Sequence, residues 1–166
     1  MPLVAFDTLP DDARVWVFGS ATGMTPDREE ALLAAVDEYL SGWRAHGSPL
    51  TVGRDWCEGR FLAIGVDQRD EHASGCSLDA LFRVLSGLEQ QLGTTLLGNS
   101  RVYFRDSGGN ISVSDRPGFV ALARNGTVGP ETTVFDLSVE SVGDWRRRFE
   151  TAAGLSWHNA LFPASV

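Results

Sequence analysis

The chain has 166 residues, 22 acidic and 14 basic, with a net charge of −8 and a mean hydropathy of −0.09. That is enough chain to bury a core without disulfides or a structural metal, and no apolar run reaches the roughly 18 residues of a membrane span. The acidic balance disfavours nucleic acid, and the complete absence of lysine excludes a Schiff-base lysine, a lysine general base and a P-loop.

The N-terminal stretch MPLVAFDTLPDDAR lacks the basic and apolar regions of a signal peptide, so a cytosolic protein with no membrane partner is expected. Arg14 to Gly19 then reads as a strand, with four consecutive apolar residues that suit a strand covered on both faces. Gly19 to Gly23 lies between strand and helix but lacks a phosphate-loop pattern, and reads as an ordinary loop. Thr25 is an N-cap with Pro26 behind it, opening a helix whose apolar face is Leu32, Leu33, Val36, Leu40 and Trp43. His46-Gly47 is expected to end that helix, Gly47 as a left-handed cap and Pro49 just beyond.

Leu50, Val52 and Trp56 alternate as a half-exposed strand, Glu58-Gly59 is a turn, and Phe61 to Val66 is a buried strand. A polar loop from Asp67 to Gly75 leads into a second amphipathic helix, starting near Ser77 and closed by Gly93. Arg101 to Asp106 is a strand joined through Ser107–Asn110 to another at Ile111 to Ser114. A short helix follows near Pro117 to Arg124, capped by Asn125-Gly126. Thr132 to Phe135 is a last strand, and Ser141 with Asp144 opens a final helix over Val142 to Ala152. The order βαββαβ predicts a single α+β domain spanning residues 1–166, with a ferredoxin-like core extended by extra strands and a C-terminal helix.

That topology puts the end of the first helix and the start of the second at the same end of the sheet. It gathers His46, Gly47 and Pro49 near Asp67, His72, Ser74, Cys76 and Asp79. Cys76 stands out because a helix N-terminus favours a thiolate and offers free amide groups to an oxyanion. Gly75 permits close approach of a ligand, and Ser74 or Ser77 caps the helix. A histidine in reach would complete a nucleophile–base pair: His46 by topology, or His158 if the tail folds back, oriented by Asp79 or Asp67. Trp43, Trp56 and Trp157 are candidate walls of a pocket, and packing is the competing use of all five tryptophans. With three histidines and two cysteines, no zinc spacing occurs, and no motif calls for a cofactor. Arg146, Arg147 and Arg148 read as a solvated face.

Three segments taken together carry a resemblance: Trp43-x-x-His46-Gly47-x-Pro49-Leu50, Ala73-Ser-Gly-Cys76-Ser-x-Asp79, and Ser156-Trp157-His158. They resemble a family of small bacterial proteins often called ABC transporter ATPases. The resemblance runs over most of the chain. It implies no particular reaction, and ATPase activity does not fit a chain with neither a Walker A motif nor a lysine. It does single out His46, Cys76, Asp79 and His158 as the polar members of the shared motifs.

The functional expectation is a small thiol-dependent enzyme or small-metabolite binder, with Cys76 as nucleophile, His46 or His158 as base, and Asp79 or Asp67 as orienting carboxylate. Two alternatives stand beside it. One is a non-enzymatic homodimerising module with Trp56, Tyr103 and Phe104 at its interface. The other is a metal-dependent enzyme using His46, Cys76 and His158 or Asp79 as ligands.

Overall fold

The computed structural model describes residues 3–69, 71–98 and 100–163. The fold is α+β, with helices segregated from antiparallel sheets. Its contacts divide it into two compact units. The first comprises the chain up to Leu97 together with Val139–Arg146, and the second comprises Gly98–Ser138 and the chain from Arg147 on.

In the first unit, β1 (Arg14–Gly19), β4 (Thr51–Cys57) and β5 (Phe61–Asp67) form an antiparallel sheet in the order β1-β5-β4. β5 is central, pairing Val15 with Gly65 on one side and Trp56 with Leu62 on the other. All seven of its residues are buried, which is why its sequence is a continuous apolar run rather than an alternation. The three-residue turn joining β4 to β5, Glu58 to Arg60, has both Glu58 and Gly59 at positive φ and is closed by the Arg60 amide donating to the Cys57 carbonyl at 3.1 Å. Both outer edges are covered: Val4 donates to the Val52 carbonyl at 2.8 Å, and Val15 to the Glu140 carbonyl at 3.0 Å.

Helix α1 (Pro26–Ser41) starts as the residues dictate, with Thr25 accepting from the Arg28 amide and Pro26 in the first turn. Helix α2 (Gly75–Leu92) is capped by Ser74, which accepts from the Ser77 amide at 3.1 Å, and closed by Gly93 at φ +66. Leu32, Val36 and Leu40 of α1 and Leu81, Leu85 and Leu88 of α2 meet Leu62, Ile64 and Val66 of β5 in one core. The first helix stops earlier than expected. Gly42 caps it, and His46-Gly47 is the tip of a small hairpin, β2 (Arg44–Ala45) with β3 (Ser48–Pro49). Both tip residues have positive φ, 52° and 80°, so the left-handed backbone expected at Gly47 is present but makes a two-residue turn instead of a helix cap.

The order β1-β5-β4 is that of a split βαβ unit. The strand expected as its fourth member, β6 (Arg101–Arg105), belongs to a second sheet with β7 (Ile111–Asp115), β8 (Thr133–Phe135) and β9 (Glu150–Ala152), in the order β7-β6-β8-β9. Two constraints account for this. The free edge of β1 is taken by the Glu140–Ser141 backbone, and β6 closes a local hairpin with β7 at small entropic cost. Helix α3 (Arg116–Arg124) is capped by Asp115, and Phe119 packs with Val102, Phe104, Val134 and Ala153 in the core of this second unit. The last helix, α4 (Val142–Arg148), begins as expected, with Ser141 accepting from the Asp144 amide. It ends four residues short of Ala152, because Glu150–Ala152 pairs with β8, and two short 3-10 turns follow, Ala153–Leu155 and Trp157–Leu161.

Gly65 sits in the tightest part of the first core. A Cβ there would lie 2.7 Å from Leu9 Cδ1 and 3.1 Å from Phe6 and Val142 side-chain atoms. Gly65→Ala is expected to lower unfolding stability by about 1–3 kcal/mol through overpacking. Chemical denaturation against the wild type measures it, and an unchanged midpoint would show that the pocket around Gly65 is looser than described.

Candidate functional site

The indole of Trp43 joins the end of α1 to the start of α2. It is 2% exposed, and its Nε1–H donates to the Ser77 carbonyl oxygen at 2.9 Å. The Trp43 carbonyl in turn accepts from the Leu50 amide at 3.1 Å, which closes the hairpin behind it, and β2 packs against α2. The two segments that sequence topology placed at one end of the sheet are therefore tied by a buried hydrogen bond. Trp43 acts as the anchor of this junction and does not wall an open pocket.

On α2, Gly75, Cys76 and Asp79 are exposed, while Ser77 turns inward and its hydroxyl donates back to the Ser74 carbonyl at 2.8 Å. Cys76 is a free thiol at the surface, and Asp79 lies one helical turn further on the same face. Ser74 satisfies the Ser77 amide, so the amides of Gly75 and Cys76, in the first turn, have no intrahelical acceptor. Tyr39 of α1 has its hydroxyl held above its ordinary pKa by burial and pulled back by Arg83 of α2. Its ring lies 6.5 Å from that of Trp43.

His46 and Gly47, at the hairpin tip, are exposed, as is His72. Asp67 behaves differently from an orienting carboxylate. It closes the end of β5 by accepting from the Arg69 guanidinium, at 2.9 Å from Nε, and from the Arg69 backbone amide at 3.1 Å. The Arg69 hydrogen bond holds its carboxyl below the usual carboxylate range. Asp79 is thus the carboxylate on this face with no ion pair among the described residues.

His158 belongs to the second unit, where it is 1% exposed. Its Nδ1 shares a 2.6 Å hydrogen bond with Ser156 Oγ, the same oxygen that accepts from the His158 amide and caps the last 3-10 turn. The imidazole stacks on Trp157 at 4.0 Å and meets the edge of Phe119, and the Arg116 guanidinium lies 4.8 Å over the Trp157 ring. Burial pushes its pKa from 6.5 to about 4, opposed by Asp136 and reinforced by Arg116. The ring is therefore neutral at physiological pH, and Trp157 is a packing residue of this segment. Local Ser-x-His capping is a signal that the sequence carries but that motif reasoning passed over.

Tyr103 and Phe104 are 1% and 5% exposed and lie inside the second unit, while Trp56 is half-buried with its Nε1–H on Glu29 at 2.7 Å. Among the described residues, no three His, Cys, Asp or Glu side chains gather where they could hold a metal ion. No described helix is long and apolar enough to cross a membrane. No family model, curated protein or solved structure matches the chain.

His158 gives a pH dependence with a defined sign. The unfolded ring takes its proton near pH 6.5 and the folded ring only near pH 4, so the unfolded state binds more protons between those values. The contribution of His158 to stability is complete above pH 6.5, declines as pH falls to about 4, and levels off below that. His158→Gln removes this component. Denaturation curves of both proteins across that range, followed by tryptophan fluorescence, should diverge as the wild type is acidified; parallel curves would contradict the buried neutral imidazole.

Proposed function

We propose that the protein is a small thiol-dependent enzyme that transfers an acyl group from a small metabolite, with Cys76 as nucleophile, His46 as base and Asp79 as the carboxylate that orients it. The observation that carries this reading is the Trp43–Ser77 hydrogen bond, which ties the hairpin bearing His46 to the helical turn bearing Cys76. The same bond joins two of the three motifs behind the resemblance to the small bacterial family.

In the proposed reaction His46 takes the Cys76 proton. The thiolate attacks the carbonyl carbon of a thioester, and a carbon–sulfur bond forms to the enzyme as the bond to the leaving thiol breaks. His46 returns the proton to the departing thiolate, and water or an acceptor then releases the acyl group. In this reading the amides of Gly75 and Cys76, which have no intrahelical acceptor, donate to the carbonyl oxygen as it becomes negative. Gly75 carries no side chain to block approach, and nothing lies within 4 Å of where its Cβ would be.

Incubating the protein with a short-chain acyl thioester and reading its intact mass tests this directly. Wild type and Cys57→Ser should gain one acyl group, and Cys76→Ser should gain none. His46→Ala should acylate about a hundredfold more slowly, as loss of a general base implies. An adduct that persists in Cys76→Ser, or a wild type that gains nothing, would refute the assignment.

A further inference from the structure

We propose that Asn125 is a site of spontaneous covalent modification, where the side-chain amide is lost as ammonia to leave aspartate and isoaspartate. The site is the C-terminal turn of α3. The Thr127 amide donates to the Leu122 carbonyl at 2.9 Å and the Gly126 amide to the Ala123 carbonyl at 3.2 Å, a Schellman closure with Gly126 at φ +81. Asn125, Gly126 and Thr127 are all exposed. Asn125 Oδ1 accepts two hydrogen bonds from the same residue, from the Thr127 amide at 3.0 Å and from Thr127 Oγ1 at 2.5 Å.

The chemistry needs only solvent. Hydroxide removes the Gly126 amide proton, and the nitrogen attacks Asn125 Cγ. As the N–Cγ bond forms, Oδ1 takes up negative charge. The Cγ–Nδ2 bond then breaks, and the amide nitrogen leaves as ammonia with a proton from water, closing a five-membered imide. Water adds to either imide carbonyl and opens the ring to aspartate or to isoaspartate.

Two features of this turn favour the attack. The following residue has no Cβ to crowd the nitrogen, and nothing lies within 4 Å of where a Gly126 Cβ would stand. Thr127 Oγ1 already donates to the oxygen on which charge develops, and the Thr127 amide, shared with the Leu122 carbonyl, donates to it as well, the arrangement of an oxyanion hole. Two features oppose it: Asn125 sits at φ −89 and ψ 3, so the backbone must rotate about ψ before the nitrogen reaches Cγ, and the Gly126 N–H is engaged by Ala123. That bond is long and lies at an exposed helix end, so it slows the reaction by only a factor of a few. Asn110 and Asn159 are also exposed, but they precede Ile111 and Ala160, whose side chains hinder the same step.

The products change the turn. A carboxylate at residue 125 adds negative charge at the C-terminus of α3, where the helix dipole disfavours it. Isoaspartate also lengthens the backbone just before Val128, a core residue that with Ala123, Gly129, Asn159 and Phe162 lines a cleft of about 420 Å³.

The test is to hold purified full-length protein at mildly alkaline pH and follow each asparagine by peptide mapping with isoaspartate detection. Asn125 should convert about tenfold or more faster than Asn110 and Asn159, and its rate should rise with pH. Thr127→Val, which removes only the hydroxyl donor, should slow conversion about tenfold in the native protein, less than a preorganised oxyanion donor supplies in a dry active site. It should have no effect in denaturant, where Thr127→Ser and wild type also converge. Conversion at Asn125 no faster than at Asn110, or a native rate untouched by Thr127→Val, would overturn the proposal.

Discussion

The hydrogen bond from the Trp43 indole to the Ser77 carbonyl is the constraint on which the candidate site depends. A buried N–H left without an acceptor costs about 1–3 kcal/mol, so the indole and the first turn of α2 hold each other in place. Everything on that end of the first unit follows. The hairpin is closed by Leu50 onto Trp43, its tip carries His46, and α2 begins at Ser74 with Ser77 turned in and Cys76 turned out. Ser77 takes part in two separate devices, one through its amide on the cap and one through its carbonyl on the indole. A single residue thus couples helix initiation to tertiary packing.

Behind that junction stands β5. Because it is buried on both faces and paired on both edges, it sets the positions from which α1 and α2 lay their leucines into the core. The edges of its sheet are closed by Val4 and by Glu140–Ser141, which keeps β6 out and sends it to the second sheet. The exposed groups of α2 therefore sit on a rigid support, the condition a preorganised site requires.

Much of this was legible in the residues. Thr25-Pro26 and Ser74 announce helix starts, Gly93 announces a helix end, and Phe61 to Val66 announces a strand covered on both sides. The convergence of the two helix ends followed from topology alone. What the residues left open was ambiguous in physical terms. A left-handed glycine suits a helix cap and a two-residue hairpin equally well, so His46-Gly47 could not be told from its sequence. Glu150–Ala152 continued a helical pattern, and pairing with β8 overrode it. The role of Asp67 turned on Arg69, two residues away, whose guanidinium claims the carboxylate before any imidazole could. His158 was legible as a polar member of a motif, but its burial beside Phe119 and Trp157 is a product of packing in the second unit.

The most direct test of this account is to remove the indole donor. Trp43→Phe keeps an aromatic ring in the core and deletes the indole donor. Backbone amide chemical shifts of the variant and the wild type, compared residue by residue, report whether the hairpin and α2 are coupled. The account predicts that the signals of residues 44–50 and of residues 74–78 move together, although the second group is remote from the substitution in sequence. Shifts confined to the immediate sequence neighbours of residue 43, with Ser74 to Leu78 unmoved, would contradict it and would remove the basis for placing His46 and Cys76 in one site.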